Sequence, residues 1–268
     1  MPHRIRLLAL DIDGTLAGEN NQVNPAVLQA IQAAQAQGVK VAIATGRMHR
    51  SATRFHQTIH ADLPLCSYQG ALIRDPETQI TYQHHLLPPD LTQDLLAGYR
   101  EFPLVVHIYI NDELYVQTAN PLSTAYAERS QVPLHVLGDR PLPAPATKVL
   151  AMSEDTDLID QLYQEFRQRY PQEDLYLTKS HPTFLEATHP HVNKGQALKF
   201  LAETLLGIPP AQVMAIGDSD NDVEMLDYAG IGVAMGNANP RVRSHADWIA
   251  PSVEADGVAA AIAEFILN

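Results

Sequence analysis

The chain has 268 residues, 46% of them apolar, and 18 Lys and Arg against 31 Asp and Glu, for a net charge of −13. That length suffices for one large domain or two smaller ones with real cores, and the acidic balance argues against nucleic acid or an anionic membrane as the main partner. A small phosphorylated metabolite remains open, because it needs only a few local cations. The single cysteine, Cys66, excludes an internal disulfide and a Cys-rich metal site, and reads as a small buried apolar residue. The N-terminal apolar run is too short for a signal peptide, and no segment approaches ~18 continuous apolar residues. A cytoplasmic protein is expected, and nothing implies an obligatory protein partner.

Taken in chain order, "IRLLAL" from Ile5 is a buried-strand run. "NPAVLQAIQAAQAQG" predicts a helix with Asn24 as N-cap, Pro25 at its first position and Gly38 just past its end. "VKVAIAT" is the next strand, and "LPLCSYQGALI" continues the pattern after another helical stretch. From about His85 to Thr188 the strands come in adjacent pairs, "LVVHIYI" with "ELYVQ" and "DLYLTKS" with "TFLEAT". Helical segments near 90–101 and 156–169 flank them, and the Pro-rich "RPLPAPATKVLAMS" leads into its own strand. The C-terminal part returns to alternation: "KGQALKFLAETLLG" helix, "QVMAIG" strand, "NDVEMLDYAG" helix, "IGVAM" and "ADWIA" strands, "GVAAAIAEFIL" helix. Continuously apolar strands between amphipathic helices predict an α/β, Rossmann-like, doubly wound and mostly parallel sheet. Residues 1–84 and 189–268 would form this core, with 85–188 inserted as an antiparallel α+β unit. The twelve histidines read mostly as solvated or hinge residues.

Each predicted core strand ends in polar residues. The first ends in Asp11 and Asp13, the second in Thr45, Gly46 and Arg47, and a later one in Asp218, Asp220, Asn221 and Asp222. One Asp after a strand is as readily a turn or a helix cap. Three clusters differ, because an open parallel sheet brings its strand carboxyl ends to one rim, where ligands bind. Asp11, Asp13 and Asp218 on that rim repel by about 4 kcal/mol per close pair at an effective dielectric near 20. A divalent cation removes that repulsion, and oxygen-only donors without His suit Mg²⁺. Thr45, the Gly46 backbone and the helix start that follows make a phosphate cradle, and Lys194 supplies further positive charge. The set reads as a phosphoryl-transfer site with a carboxylate nucleophile.

"DIDGTL", "ATGR", "NKGQAL" and "GDSDNDVEML", in that order, followed by "AGIGVAMGNANPRVRSHAD" and "DGVAAAI", resemble the haloacid dehalogenase superfamily and, within it, the Cof-type sugar-phosphate phosphatases. The insert between the second and third motifs is similar to the large α/β cap of that branch. The resemblance implies Asp11 as a nucleophile forming an aspartyl-phosphate, and Asp13 as the general acid. It implies Mg²⁺ at Asp11, the Asp13 backbone carbonyl and Asp218. Thr45, Lys194 and Asn221 would hold the phosphoryl group, and Asp222 would stand behind the metal waters or Lys194. Asp220 occupies a variable position, where a surface role is expected. Of the close pair at Asp11 and Asp13, the sequence expects Asp13 to carry the proton.

Every phosphate ester shares the phosphoryl group and metal, so discrimination is expected from the inserted unit. Lys179, Ser180, His181 and Thr183, around the turn of "LTKSHPTFLEA", are the candidates. The rival readings are a phosphohexomutase on the same core and a phosphate-binding module without catalysis. Intact Asp11, Asp13, Lys194 and Asp218 weigh against the module.

Overall fold

A computed structural model describes residues 5–268. The chain runs through β1 (Leu7–Leu10), α1 (Pro25–Ala36), β2 (Lys40–Ile43) and α2 (His49–Thr58). It continues through β3 (Leu65–Ser67), β4 (Leu72–Arg74) and β5 (Thr81–His84) into α3 (Pro89–Tyr99). β6 (Val105–Ile110), β7 (Glu113–Val116), α4 (Pro121–Ser130), β8 (Leu134–Val136), β9 (Lys148–Met152), α5 (Thr156–Arg169), β10 (Tyr176–His181) and β11 (Phe184–Thr188) follow. The last part holds α6 (Lys194–Lys199), β12 (Val213–Gly217), α7 (Val223–Tyr228), β13 (Ile231–Ala234), α8 (Pro240–Arg243), β14 (Trp248–Ile249) and α9 (Gly257–Ile262). Among the described residues no helix is long and apolar enough to cross a membrane.

The first sheet has the order β14-β13-β12-β1-β2, and every pair in it is parallel. Its central strands β1 and β12 are apolar throughout and wholly buried because both faces are covered. Leu8 and Leu10 of β1 face the cluster that holds Ile31 of α1, Phe55 of α2 and Val258 of α9. Leu7 and Ala9 face the opposite cluster, with Leu198 of α6 and Met225 of α7. This two-residue alternation separates the two sides of one buried strand. Pro25 opens α1 as expected, but the Asn24 side chain makes no cap bond and instead donates to Asp256 Oδ1 at 2.9 Å.

"LPLCSYQGALI" does not continue the parallel sheet as one strand. It breaks at Tyr68, Gln69 and Gly70, whose φ values are 53°, 64° and 99°. β3 keeps one parallel bridge to that sheet, Cys66 to Ala44, and otherwise joins β4 and β5 in a small antiparallel sheet. Cys66 is buried and unpaired with another cysteine, as expected.

The second large sheet has the order β10-β11-β9-β6-β7-β8. The two strand pairs expected from sequence, β6 with β7 and β10 with β11, are antiparallel neighbours. The pattern is not purely antiparallel, because β8 pairs with β7 in parallel. That crossover is made by α4, a helix the patterning left unread. The Asn120–Pro121 start, with a full capping box to Ser123, marks it as clearly as Asn24–Pro25 marks α1. One face of this sheet packs under Tyr99 of α3 and Phe166 of α5, whose rings stack at 4.9 Å. The other face carries Tyr109 and Leu150 and meets Met48, Tyr68 and Ala71.

Three histidines depart from the solvated reading: His49, His56 and His107 are buried. Neither ring nitrogen of His107 has a hydrogen-bond partner, and it lies edge-on to Tyr126 at 4.7 Å. Burial first, and the Lys148 charge second, push its pKa down to about 3 from an ordinary 6.5. Burial, then Arg74, pushes His49 down to about 4. Below pH 6.5 the unfolded chain takes up protons that these folded imidazoles refuse, so stability is full above 6.5 and is lost as pH falls toward 3. The urea midpoint should therefore decline through that window, and more shallowly in His107→Phe. Equal slopes in the two proteins would remove His107 from the acid response.

Candidate active site

The parallel sheet delivers Asp11, Thr45 and Asp218 to one edge, each immediately or almost immediately after its strand. Asp11 is fixed by its N–H, which donates to Ile216 O at 3.1 Å, and Thr45 by its N–H on Cys66 O at 2.9 Å. Lys194, the first residue of α6, is wholly buried beneath them. Its Nζ donates to Asp11 Oδ1 at 2.7 Å and to Asp222 Oδ1 at 2.6 Å. The other Asp222 oxygen accepts from the N–H groups of Asp218 at 2.9 Å and Ser219 at 3.0 Å. Asp222 thus locks the loop after β12 onto the lysine. Asp220 turns outward to Arg241 and Asn239, as expected of a surface position.

Carboxylate oxygens of Asp11, Asp218 and Asp222 lie within 4.8 Å of one another. Gly14 permits this approach, since a Cβ there would stand 2.3 Å from Asp218 Oδ2. Burial, with Asp222, Asp218 and Asp13 adding to it and Lys194 opposing it, pushes the Asp11 pKa well above the ordinary value. Burial and then Asp222 push Asp218 up to about 7. Burial works against the Lys194 charge, but Asp11 and Asp222 hold its pKa above the ordinary value. The cluster therefore carries more negative charge than Lys194 offsets, on hard oxygen donors alone. That is what a divalent cation would relieve, and the residues fit one.

Asp13 is held differently. Its half-exposed carboxylate accepts two bonds from Arg47, Nε at 2.7 Å and the terminal nitrogen at 2.6 Å. Burial opposes the charge, but Arg47 outweighs it and holds the Asp13 pKa below the ordinary value. Arg47 thus favours the charged form of Asp13, whereas the role expected for it from the sequence needs the protonated form. Its carboxylate is also not in the three-acid cluster, whose third member is Asp222.

Thr45 and Gly46 line the same cavity as Asp11, Asp13, Asp218 and Asn221, a space of about 990 Å³. Thr45 Oγ1 accepts from the Arg47 N–H at 3.2 Å. Asn221 Nδ2 donates to Gln69 Oε1 at 3.0 Å, and its buried Oδ1 has no partner. Of the four hairpin candidates, Ser180 and His181 line the cavity. Lys179 does not: it lies on the opposite face, against Asp160 and over the Tyr163 ring, and the irregular register between Thr178 and His181 lets the adjacent Ser180 and His181 both reach the cavity. Thr183 sits in the turn, where its N–H donates to His181 Nδ1 at 3.2 Å, which leaves the ring proton on Nε2.

Sequence patterning missed Lys148, Glu186 and Gln69, which join the two sheets, and Tyr126, Arg129 and Phe184 on the cavity wall. A signal existed for the first two. "TKVLAM" and "TFLEAT" each bury one charge of opposite sign within an apolar strand.

A lysine buried among carboxylates at the carboxyl edge of a parallel sheet suits the binding and transfer of a phosphoryl group. Residues 8–262 match the family of haloacid dehalogenase-like hydrolases, and the chain belongs to it. Among its relatives is YxeH of Bacillus subtilis, 32% identical over 273 residues that cover 98% of each chain. Another is the 5-amino-6-(5-phospho-D-ribitylamino)uracil phosphatase YcsE of the same organism, 30% identical over 98% of this chain and 96% of that one. A haloacid dehalogenase-like hydrolase from B. subtilis superposes with a TM-score of 0.86 at 26% identity, over 98% of this chain and 100% of the other. One from Bacteroides thetaiotaomicron gives 0.82 at 27% identity, over 97% and 99%. The protein is accordingly an enzyme, a phosphatase of the Cof type.

The charge crowding yields a test. Asp218→Asn removes one of three like charges, so the cation-free variant should melt higher, by roughly 2–4 °C if about 1 kcal/mol is relieved. A divalent cation should raise the melting temperature of the wild type and leave that of the variant nearly unchanged. A variant that melts lower and still responds to the cation would contradict the assignment.

Proposed function

We propose that the protein hydrolyses small phosphate monoesters, sugar phosphates or related metabolites, with Mg²⁺ as cofactor and Asp11 as nucleophile. The observation that carries this reading is Lys194 donating to Asp11 and Asp222 beside Asp218. Asp11, Asp218 and the Asp13 carbonyl would hold Mg²⁺, which when bound offsets charge on the transferring phosphoryl group. Lys194, Thr45, the Gly46 backbone and Asn221 would hold that group in line with Asp11. The positions of Thr45, Gly46 and Asn221 on the lining of the cavity that holds Asp11 support this.

An Asp11 carboxylate oxygen attacks phosphorus, the ester P–O bond breaks, and Asp13 gives its proton to the leaving oxygen. Water then attacks the aspartyl-phosphate, returns a proton to Asp13 and releases inorganic phosphate. Asp13 can act this way once its contact with Arg47 opens and it takes up a proton, and its exposed position allows both.

We infer that residues 85–188 act as the specificity unit. Tyr126, Arg129, Ser180, His181 and Phe184 face Asp11 and Asp13 across the cavity. The rings of Tyr126 and Phe184 lie 6.0 Å apart, edge to face. Such a wall accepts a planar or apolar leaving group. The ester named for YcsE, a ribityl phosphate bearing a heterocycle, therefore belongs on the test panel beside sugar phosphates.

A panel of phosphate monoesters with Mg²⁺, read by released phosphate, tests the activity. Asp11→Asn should abolish turnover with the fold intact, and Asp13→Asn should cost about 10²–10⁴-fold. Near-normal turnover by the Asp11 variant would reject the mechanism. For specificity, His181→Ala should reorder the preferred esters while Lys179→Ala leaves the order unchanged. The opposite pattern would place the determinants on the face of α5.

A further inference from the structure

Lys148 and Glu186 are 1% and 3% exposed, and lie on neighbouring strands of the second sheet. Glu186 stands opposite Leu150, two residues along β9 from Lys148, so both side chains leave the same face. Their ion pair spans 3.2 Å. A buried ion pair alone is weak support for a fold, because desolvation takes back most of the attraction. What sets this pair apart is where its remaining bonds go.

Lys148 Nζ donates to Gly46 O at 2.7 Å and lies over the Tyr109 ring at 4.8 Å. Glu186 accepts from Ser180 Oγ at 2.5 Å and from Gln69 Nε2 at 2.8 Å. Gln69, held in a left-handed conformation with φ 64°, accepts in turn from Asn221. The Gln69 amide also packs on Gly46 so closely that a Cβ there would stand 2.4 Å from Nε2. Both chains of bonds therefore end on groups proposed to hold the phosphoryl moiety, Gly46 and Asn221. Contact between the sheets does not itself require this pair. The β6–β7 turn is already seated by Asp112, which accepts from Tyr68 OH at 2.7 Å and the Arg50 N–H at 2.9 Å, and by Glu113 on Arg50.

We propose that Lys148 and Glu186 are positioning residues for phosphoryl transfer, through which the second sheet fixes the Gly46–Gln69–Asn221 cradle from above. The inference rests on the phosphatase reading given above. It goes beyond it in making the geometry at phosphorus depend on the inserted unit, even for esters whose leaving group that unit does not recognise. Lys148 holds the Gly46 carbonyl, and Glu186 holds Gln69 and hence Asn221. Neither touches the reacting atoms.

The test uses the full-length enzyme with Mg²⁺ and para-nitrophenyl phosphate, in wild type, Lys148→Met, Lys148→Arg, Glu186→Gln and the Met/Gln double variant. Orthovanadate inhibition and amide hydrogen exchange without substrate or metal complete the readouts. Lys148→Met and Glu186→Gln should each lower kcat by up to about 100-fold, as for a misplacement near 1 Å. KM should change less, and vanadate inhibition should weaken in parallel. Lys148→Arg should recover part of the loss, and the double variant should lose less than the product of the single losses. Exchange should rise at 44–48 and 67–71 while the rest of the parallel sheet stays protected. Unchanged kcat and vanadate inhibition in folded variants would overturn the proposal, and so would losses matched by a fall in folded fraction. Wild type that hydrolyses neither para-nitrophenyl phosphate nor any ester of the panel with Mg²⁺ would overturn the proposed reaction, and the positioning role with it.

Discussion

The structure depends on one wholly buried ammonium, Lys194, placed between Asp11 and Asp222 with Asp218 close by. Three carboxylates within 4.8 Å would each repel the others by several kcal/mol in a protein environment, and one lysine offsets only part of that. The surroundings follow from holding this arrangement. A parallel sheet is needed to bring strand ends from opposite parts of the chain together. Gly14 is needed because no side chain fits beneath Asp218. Asp222 is needed to tie the loop after β12 to the lysine with both of its oxygens.

Asp11 and Asp13 show how far environment separates two equal groups one residue apart. Asp11, buried against other acids, is pushed toward the neutral form. Asp13 faces the opening and a guanidinium, and is held toward the charged form. Carboxyls driven apart in this way are the usual raw material for dividing nucleophilic and acid–base work. Here the split runs counter to the proposed roles, and Arg47, which lines the same cavity and donates to Asp13, is what holds Asp13 in its charged form.

Much of this was legible in the residues alone. "IRLLAL" followed by Asp11 and Asp13 announces a two-sided buried strand with chemistry at its end, and local rules suffice to read it. The Lys194 helix and the "GDSDND" loop were equally plain. What stayed hidden was decided by pairing across long separations. No local pattern reveals that Lys148 meets Glu186, that Arg47 rests on Asp13, or that Lys179 leaves the cavity for Asp160. The break at Tyr68–Gly70 was hidden for another reason. Two residues with side chains adopt a conformation that glycine favours, because Gln69 is held by Glu186 and Asn221 rather than by its own preference. α4 is the exception, since its Asn-Pro start was there to be seen.

The central strand of the parallel sheet also constrains how the molecule is made. β1 pairs with β2 on one side, Leu7 opposite Lys40, and with β12 on the other, Leu7 opposite Val213. On a ribosome working at about 5–20 residues per second, those two partners emerge roughly 10–40 s apart. Through that interval β1, apolar on both faces, presents an open edge to its surroundings. The second sheet, whose strands all lie between Val105 and Thr188, is complete before β12 exists. The nascent chain thus assembles the part proposed to choose the substrate before the part that performs the chemistry. Its risk of aggregation is concentrated in the strand that carries Asp11.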